Sequence, residues 1–265
     1  MTRSQALALA TERLAHLPDS AGEAMQLLMQ VDGFDRVQWM LDPDAGLNAP
    51  EYFQQCLKRR SQGESLASIR GSAGFLDYEL AVGPGVLIPR PDTETFVQIK
   101  WGPGPVVDLG SGSGALARWA VDAQTSPVFA IEKSLQALSY ARRNLPLAVT
   151  VLRGDWASML ADQSIGTMLS NPPYIDADEP ELLGDGVRCE PWQALVADDA
   201  GYSDLKTLIE QGRRVLKPGG YLWMEHGHQQ AAQVRENLRQ AGYGAIETLV
   251  DLPGKERITG GCWNG

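Results

Sequence analysis

The chain has 265 residues, 43% of them hydrophobic and 21% charged, a globular balance that excludes extended disorder and leaves room for a main domain with a smaller companion. Its formal net charge of -10 and pI near 4.8 repel phosphate backbones at long range, which weighs against nucleic acid as a partner. No run of about 18 apolar residues marks a membrane span, and Cys56, Cys189 and Cys262 stand apart with no histidine at metal-ligand spacing, so a soluble, cytoplasmic, metal-free protein with reduced thiols is expected.

In chain order, the first segment MTRSQALALATERLAHL interrupts its apolar residues with polar ones at helical spacing, unlike a signal peptide. Leu7, Ala10, Leu14 and Leu17 share one face, as do Phe53, Cys56, Leu57 and the aliphatic stem of Arg60. Turn signals at Leu17-Pro-Asp-Ser20, Asp32-Gly33 and Asn48-Ala-Pro50 cut residues 1–70 into short helices of a small bundle. Over residues 71–87 the period changes: Phe75, Tyr78, Leu80 and Val82 sit between glycines, which predicts a β-hairpin linker. From residue 88 to 265 short apolar runs alternate with amphipathic helices. The runs are Pro105–Leu109, Val128–Ile131, Val149–Leu152, Thr167–Ser170 and Tyr221–Glu225, with closing strands near Ala245–Val250 and Arg257–Trp263. That alternation predicts a parallel sheet covered by helices on both faces.

Asp108-Leu109-Gly110-Ser111-Gly112-Ser113-Gly114 reads as a strand end, a glycine-rich turn and a helix start near Ala115, where backbone can approach a nucleotide closely. Glu132 ends the next strand, placed to accept hydrogen bonds from ribose hydroxyls. Asp155 and Trp156 follow the third strand, a carboxylate for the adenine amine and an aromatic beside the ring. These features alone fit either a dinucleotide or S-adenosylmethionine.

The fourth strand ends in Asn171-Pro172-Pro173-Tyr174, a motif that hydride transfer does not need, and this favours S-adenosylmethionine as cofactor. Two successive prolines force extended backbone and lack N–H groups, so nearby carbonyls can stay unpaired and face a cleft. With the side-chain carbonyl of Asn171 they can hold both protons of a planar NH2 group, while Tyr174 offers an aromatic face. The amide lone pair is delocalised, so catalysis requires that grip together with an in-line approach to the methyl donor.

Together these two motifs resemble those of class I amino-methyltransferases. The stretch Gly85-Val-Leu-Ile88-Pro89-Arg90-Pro91-Asp92-Thr93-Glu94, with Asn171-Pro-Pro-Tyr-Ile175 and Glu225-His226-Gly227, resembles the PrmC (HemK) family of peptide chain release factor glutamine methyltransferases. The resemblance implies a Rossmann-like methyltransferase fold on a mostly parallel seven-stranded sheet. It implies that the substrate is the glutamine amide in the Gly-Gly-Gln motif of class 1 release factors, docked in part by the helical bundle. It further implies that Asn171 and Pro172 grip the amide, that Gly110 to Gly114, Glu132, Trp156 and Asn171 hold the cofactor, and that S-adenosylhomocysteine is the product; a monomer is expected. An exocyclic-amine methyltransferase acting on nucleic acid is the competing reading, against which the acidic charge stands; a cofactor-binding regulator without turnover is a second.

Some details depart from the family. Lys100-Trp-Gly-Pro-Gly104 stands where a longer helix is expected, Glu132 replaces the more usual aspartate, and the tail Thr259-Gly-Gly-Cys262-Trp-Asn lacks an expected arginine. Arg90, Asp92 and Glu94 belong either to the active site or to a stiff turn in which Asp92 caps the following helix. Glu225 is open between substrate-facing and structural roles, His226 is expected to be structural, and His16 and His228 lie on the surface.

Overall fold

The structure, a computed structural model, describes residues 1–179, 184 and 186–265. It divides into two compact units: Met1–Ser72 with a short later segment ending at Cys189, and the remainder from Ala73 to Gly265.

The first unit consists of α1 (Arg3–Arg13), α2 (Ser20–Asp32), α3 (Arg36–Leu41), α4 (Pro50–Ser61) and α5 (Leu66–Arg70). Its helices start where the sequence supplies acceptors for orphan N–H groups. Thr2 and Asp35 form reciprocal capping boxes with Gln5 and Gln38, and Pro50 occupies the first turn of α4. Gly33 ends α2 at φ 73°, a left-handed stop. Leu14, Leu27, Leu28, Phe53 and Leu57 are buried in one core. Arg60 is buried with them, its head paired to Glu23 at 2.9 Å and to the Glu64 carbonyl at 3.3 Å, so only its stem is apolar lining.

The second unit opens on a hairpin, β1 (Ser72–Phe75) and β2 (Tyr78–Ala81). Between its strands Leu76 adopts φ 50°, and its N–H donates to Glu94 Oε1 at 2.8 Å. The main sheet is built from β3 (Val106–Leu109), β4 (Val128–Glu132), β5 (Val149–Arg153), β6 (Ile165–Ser170), β9 (Leu216–Glu225), β10 (Tyr243–Val250) and β11 (Glu256–Trp263). A separate short pair is β7 (Ile175–Asp176) with β8 (Val196–Ala197). The sheet order is β10-β11-β9-β6-β3-β4-β5, and only β11 runs against its neighbours.

Side chains alternate between the two covered faces. Val106, Ala130, Leu169 and Trp223 join α6 (Ala115–Ala123) in one cluster, whereas Val107, Ile131, Met168 and Leu222 join α9 (Ser203–Val215) and α10 (Ala231–Gln240) in the other. Burial on both sides explains why these strands read as apolar runs instead of alternating patterns. The chain moves from β3 outward to β4 and β5, then returns past β3 to β6. The reversal leaves a crevice at the carboxyl ends of β3 and β6.

The Lys100 segment has its own explanation. A 3-10 helix at Pro91–Gln98 ends, and the chain then continues without a helix to β3. Lys100 accepts from the indole N–H of the fully buried Trp223 at 2.9 Å, and Trp101 packs on Trp119 with ring centroids 5.1 Å apart. A Cβ on Gly102 would lie 2.1 Å from the Gly166 carbonyl, so only glycine lets the segment pass this close to β6. The expected uncertainty at the tail also resolves, because β11 pairs on both sides and Trp263 packs on Tyr243 at 5.3 Å.

Candidate active site

A cavity of about 550 Å³ opens at the carboxyl ends of β3, β4 and β6. Its floor is the turn after β3, where Gly110, Gly112 and Gly114 take φ of 68°, 56° and 89°. At Gly110 a Cβ would sit 2.9 Å from the Trp156 ring, so a side chain there would displace the aromatic wall. Ser111 and Ser113 are buried beside the cavity, and Ser111 Oγ has no hydrogen-bond partner among the described residues. A buried hydroxyl on the wall of an otherwise fitted site is a ready contact for a polar ligand.

Glu132 is held at the end of β4 by two backbone donors, Gly112 N to Oε2 at 2.9 Å and Ser134 N to Oε1 at 2.7 Å. A carboxylate offers about four lone-pair directions, so both oxygens keep capacity towards the cavity. Asp108 is buried, accepts from Ala117 N at 3.0 Å, and is pushed up to about 7, first by burial and then by the nearby Glu132 charge. Asp155 reaches the cavity from an exposed position and is paired to Lys133 at 2.9 Å. Trp156, at φ 49°, also lines the cavity, as does Asp204, whose carboxyl is raised by burial.

On the acceptor side Asn171 Nδ2 donates to Thr93 Oγ1 at 3.1 Å, and both residues line the cavity. No hydrogen bond from the described residues reaches Asn171 Oδ1. Pro173 joins the wall. Pro172 and Tyr174 do not, which corrects the expected aromatic face. After the two prolines, the backbone N–H of Tyr174 pairs with the Leu195 carbonyl at 3.3 Å. Its ring packs with the core and its phenol donates to Glu225 Oε1 at 3.1 Å. Burial beside the Glu225 charge raises the Tyr174 phenol.

The flanking charged residues are tied into structure. Arg90 pairs with Glu190 at 2.7 Å, whose other oxygen accepts from Ile88 N at 3.1 Å. Asp92 pairs with Arg257 at 2.8 Å, and the 3-10 helix has no side-chain cap, so of the roles left open for Asp92 the helix cap is not made. His226 is buried: Nδ1 faces the Gly227 carbonyl at 2.9 Å and Nε2 faces Thr259 Oγ1 at 2.7 Å. A carbonyl only accepts, which assigns the proton to Nδ1, and burial lowers the imidazole below its usual range. His16 and His228 are exposed. No group of three or more metal-ligating side chains occurs among the described residues, and none of their helices is long and apolar enough to cross a membrane.

Thr93 and Asp204 are wall residues that sequence reasoning passed over. Thr93 stood between the more conspicuous Asp92 and Glu94, and Asp204 resembles an ordinary acidic residue in a first helical turn.

The strand order, the crevice and a match of residues 93–183 to the methyltransferase small domain define a Rossmann-like methyltransferase. Among solved structures, a methyltransferase from Pyrococcus furiosus superposes with a TM-score of 0.56 at 17% identity, covering 80% of this chain and 99% of that one. Residues 5–71 match the PrmC N-terminal domain. The release factor glutamine methyltransferase of Salmonella typhimurium is 43% identical over 215 residues, 77% of this chain and 78% of that protein. That of Shewanella oneidensis is 35% identical across 99% of this chain and 96% of its own length. The chain belongs to the release factor glutamine methyltransferase family.

Proposed function

We propose that this enzyme moves a methyl group from S-adenosylmethionine to the side-chain amide nitrogen of the glutamine in the Gly-Gly-Gln motif of class 1 release factors. The observation that carries the reading is Asn171: its amide nitrogen is anchored on Thr93 while its oxygen, without a partner among the described residues, belongs to a cavity floored by the glycine turn. The relatives are named release factor glutamine methyltransferases, which supports the reading.

The cavity residues fit the cofactor. Ser111 Oγ lacks a partner, Glu132 retains lone pairs for a ribose diol, and Trp156 supplies a flat apolar wall beside Asp155 and Asp204 for an adenine and its amine. S-adenosylmethionine supplies an electrophilic methyl on a sulfonium. The residues of this chain then bind, orient and polarise the amide: Asn171 Oδ1 takes an amide hydrogen, which favours rehybridisation of the nitrogen, and Pro173 walls the cavity beside it. When bound, the sulfonium would give up its methyl to the nitrogen and leave as S-adenosylhomocysteine, and the amide proton that the nitrogen sheds would pass to solvent water.

The reading includes a cytoplasmic monomer whose helical unit docks the release factor. Val37, Met40 and Leu41 of that unit are 63%, 76% and 80% exposed, an apolar surface suited to protein contact. To test the substrate, the enzyme is incubated with methyl-labelled cofactor and either a release factor or DNA; label is expected on the release-factor glutamine, and label in DNA alone overturns the assignment. Glu132→Ala is expected to weaken cofactor binding by about 10–100-fold in calorimetry, the cost of losing charge-assisted hydrogen bonds to ribose. An unaltered dissociation constant removes the ribose assignment.

A further inference from the structure

Three polar side chains stand four residues apart on α7 (Leu135–Asn144): Gln136, Tyr140 and Asn144. That spacing puts them in one row along a single helix face. All three reach the same stretch of chain, the exit of the β1–β2 hairpin. Asn144 Oδ1 accepts from Ala81 N at 2.7 Å and its Nδ2 donates to the Ala81 carbonyl at 2.9 Å, the pair of bonds that a neighbouring strand would make. Gln136 Nε2 donates to the Pro84 carbonyl at 2.8 Å, and the Tyr140 phenol approaches the same oxygen at 3.5 Å.

The hairpin exit is shaped to receive them. A Cβ on Gly83 would lie 2.5 Å from the Tyr140 hydroxyl, and one on Gly85 would lie 2.0 Å from the Gln136 amide carbon. Gly85 also takes φ 84°, so it needs glycine on both counts. Ala81, Gly83 and Gly85 thus meet Asn144, Tyr140 and Gln136 in turn, two residues of the segment for each turn of helix. From Gly85 onward the segment becomes cavity wall at Val86, Leu87 and Pro89, and its far end is tied down where Ile88 N donates to Glu190 at 3.1 Å.

Asn144 also reaches the glycine turn. The same Nδ2 donates to the Ser113 carbonyl at 2.8 Å, so both protons of its NH2 group are spent, one on each wall of the cavity. Glu132 accepts from Gly112 N at 2.9 Å, and the turn is therefore held at Gly112 by a carboxylate and at Ser113 by an amide. Val86 packs across it, with a methyl 4.0 Å from where a Gly112 Cβ would stand.

We propose that Asn144, with Gln136 beside it, is a positioning residue for the cofactor: it clamps residues 81–89 to the glycine turn and so fixes the spacing of the two walls between which S-adenosylmethionine binds. The inference rests on the proposed use of that cofactor. Asn144 and Gln136 stand outside the cavity lining and act through the backbone they hold. A site whose walls are already in place loses less freedom when its ligand arrives, and releasing the clamp adds that ordering to the cost of binding.

Binding, measured without turnover, tests the clamp. Each variant is titrated by calorimetry with S-adenosylmethionine and S-adenosylhomocysteine at a temperature where circular dichroism shows it fully folded. Asn144→Ala removes all three hydrogen bonds and is expected to weaken binding about 10–100-fold. Asn144→Asp keeps the shape and the acceptor for Ala81 N but turns an oxygen towards the Ala81 and Ser113 carbonyls, so it is expected to lose at least as much. Gln136→Ala, which gives up one exposed bond, is expected to cost about 2–10-fold. Val234→Ala, at a buried position of α10, lowers stability by opening a cavity and is expected to leave the dissociation constant within about twofold of the parent. Hydrogen exchange on the cofactor-free protein adds a second readout: in Asn144→Ala the amides of residues 82–89 and 111–114 are expected to speed up by a larger factor than those of β6.

Parental affinity in both Asn144 variants overturns the clamp, and so does a loss that Val234→Ala matches. Exchange that quickens equally in β6 and in the two walls also overturns it. A folded parent that binds neither ligand removes the cofactor reading itself and the clamp with it, whereas a parent that binds beside unchanged variants removes the clamp alone.

Discussion

Asn171→Ala is expected to reduce kcat by roughly 10²–10³-fold while the cofactor dissociation constant stays within about twofold, comparable to the loss of one preorganised polar contact at a developing charge. The two parameters separate for a physical reason. In the proposed reading the glycine-turn backbone, Glu132 and Trp156, which line the cavity, hold the nucleotide, and each keeps its place when the Asn171 side chain is cut. What disappears is an oxygen whose partner, the amide hydrogen, becomes more acidic as the nitrogen gives up its lone pair to the methyl. A bond that strengthens towards the transition state contributes to kcat more than to binding. Steady-state rates with a release factor, alongside calorimetry with cofactor alone, check both halves. A variant that loses cofactor affinity as severely as rate would assign Asn171 to the nucleotide instead of the nucleophile.

The cavity floor was largely readable from sequence, because its geometry is local. A strand, a turn that needs positive φ and a helix follow one another within Val106–Ala123, and glycine announces the turn. Glu132 was readable because a parallel crossover places successive strand ends side by side. The proposed acceptor side was readable only in part. Asn171 and Pro173 reach the cavity, but Tyr174 is drawn away by Glu225, which lies 51 positions later and in another strand.

Thr93 shows the same limit more sharply. Its partner Asn171 is 78 positions away, and nothing in the period or composition of the Pro89–Glu94 stretch distinguishes a hydroxyl facing the cavity from one facing the core. Arg90, Asp92 and Glu94, whose roles the sequence leaves open, spend their charge on Glu190, Arg257 and a backbone N–H. The neutral residue between them is the one that meets Asn171.

Asp108→Asn is expected to make the protein progressively more stable relative to the parent as pH rises from about 4 to about 7. Asp108 is fully buried, and its folded carboxyl is raised from the ordinary 3.8 to about 7. The folded state therefore holds a proton through a window in which the unfolded chain has already released it. Stability falls as pH climbs through that window and levels off above it, at ~1.4 kcal/mol per pH unit and on the order of 4 kcal/mol across it. Asparagine carries no charge to bury, and its side-chain oxygen can still accept from Ala117 N, the bond that Asp108 makes at 3.0 Å. Removing the carboxylate therefore removes the slope while sparing the contact. Urea denaturation of both proteins at each pH reads the difference directly. A gap between the two that stays constant from pH 4 to pH 8 would show that Asp108 is ionised throughout and that the cavity floor solvates its charge. That outcome would place an ionised carboxylate on the cavity floor.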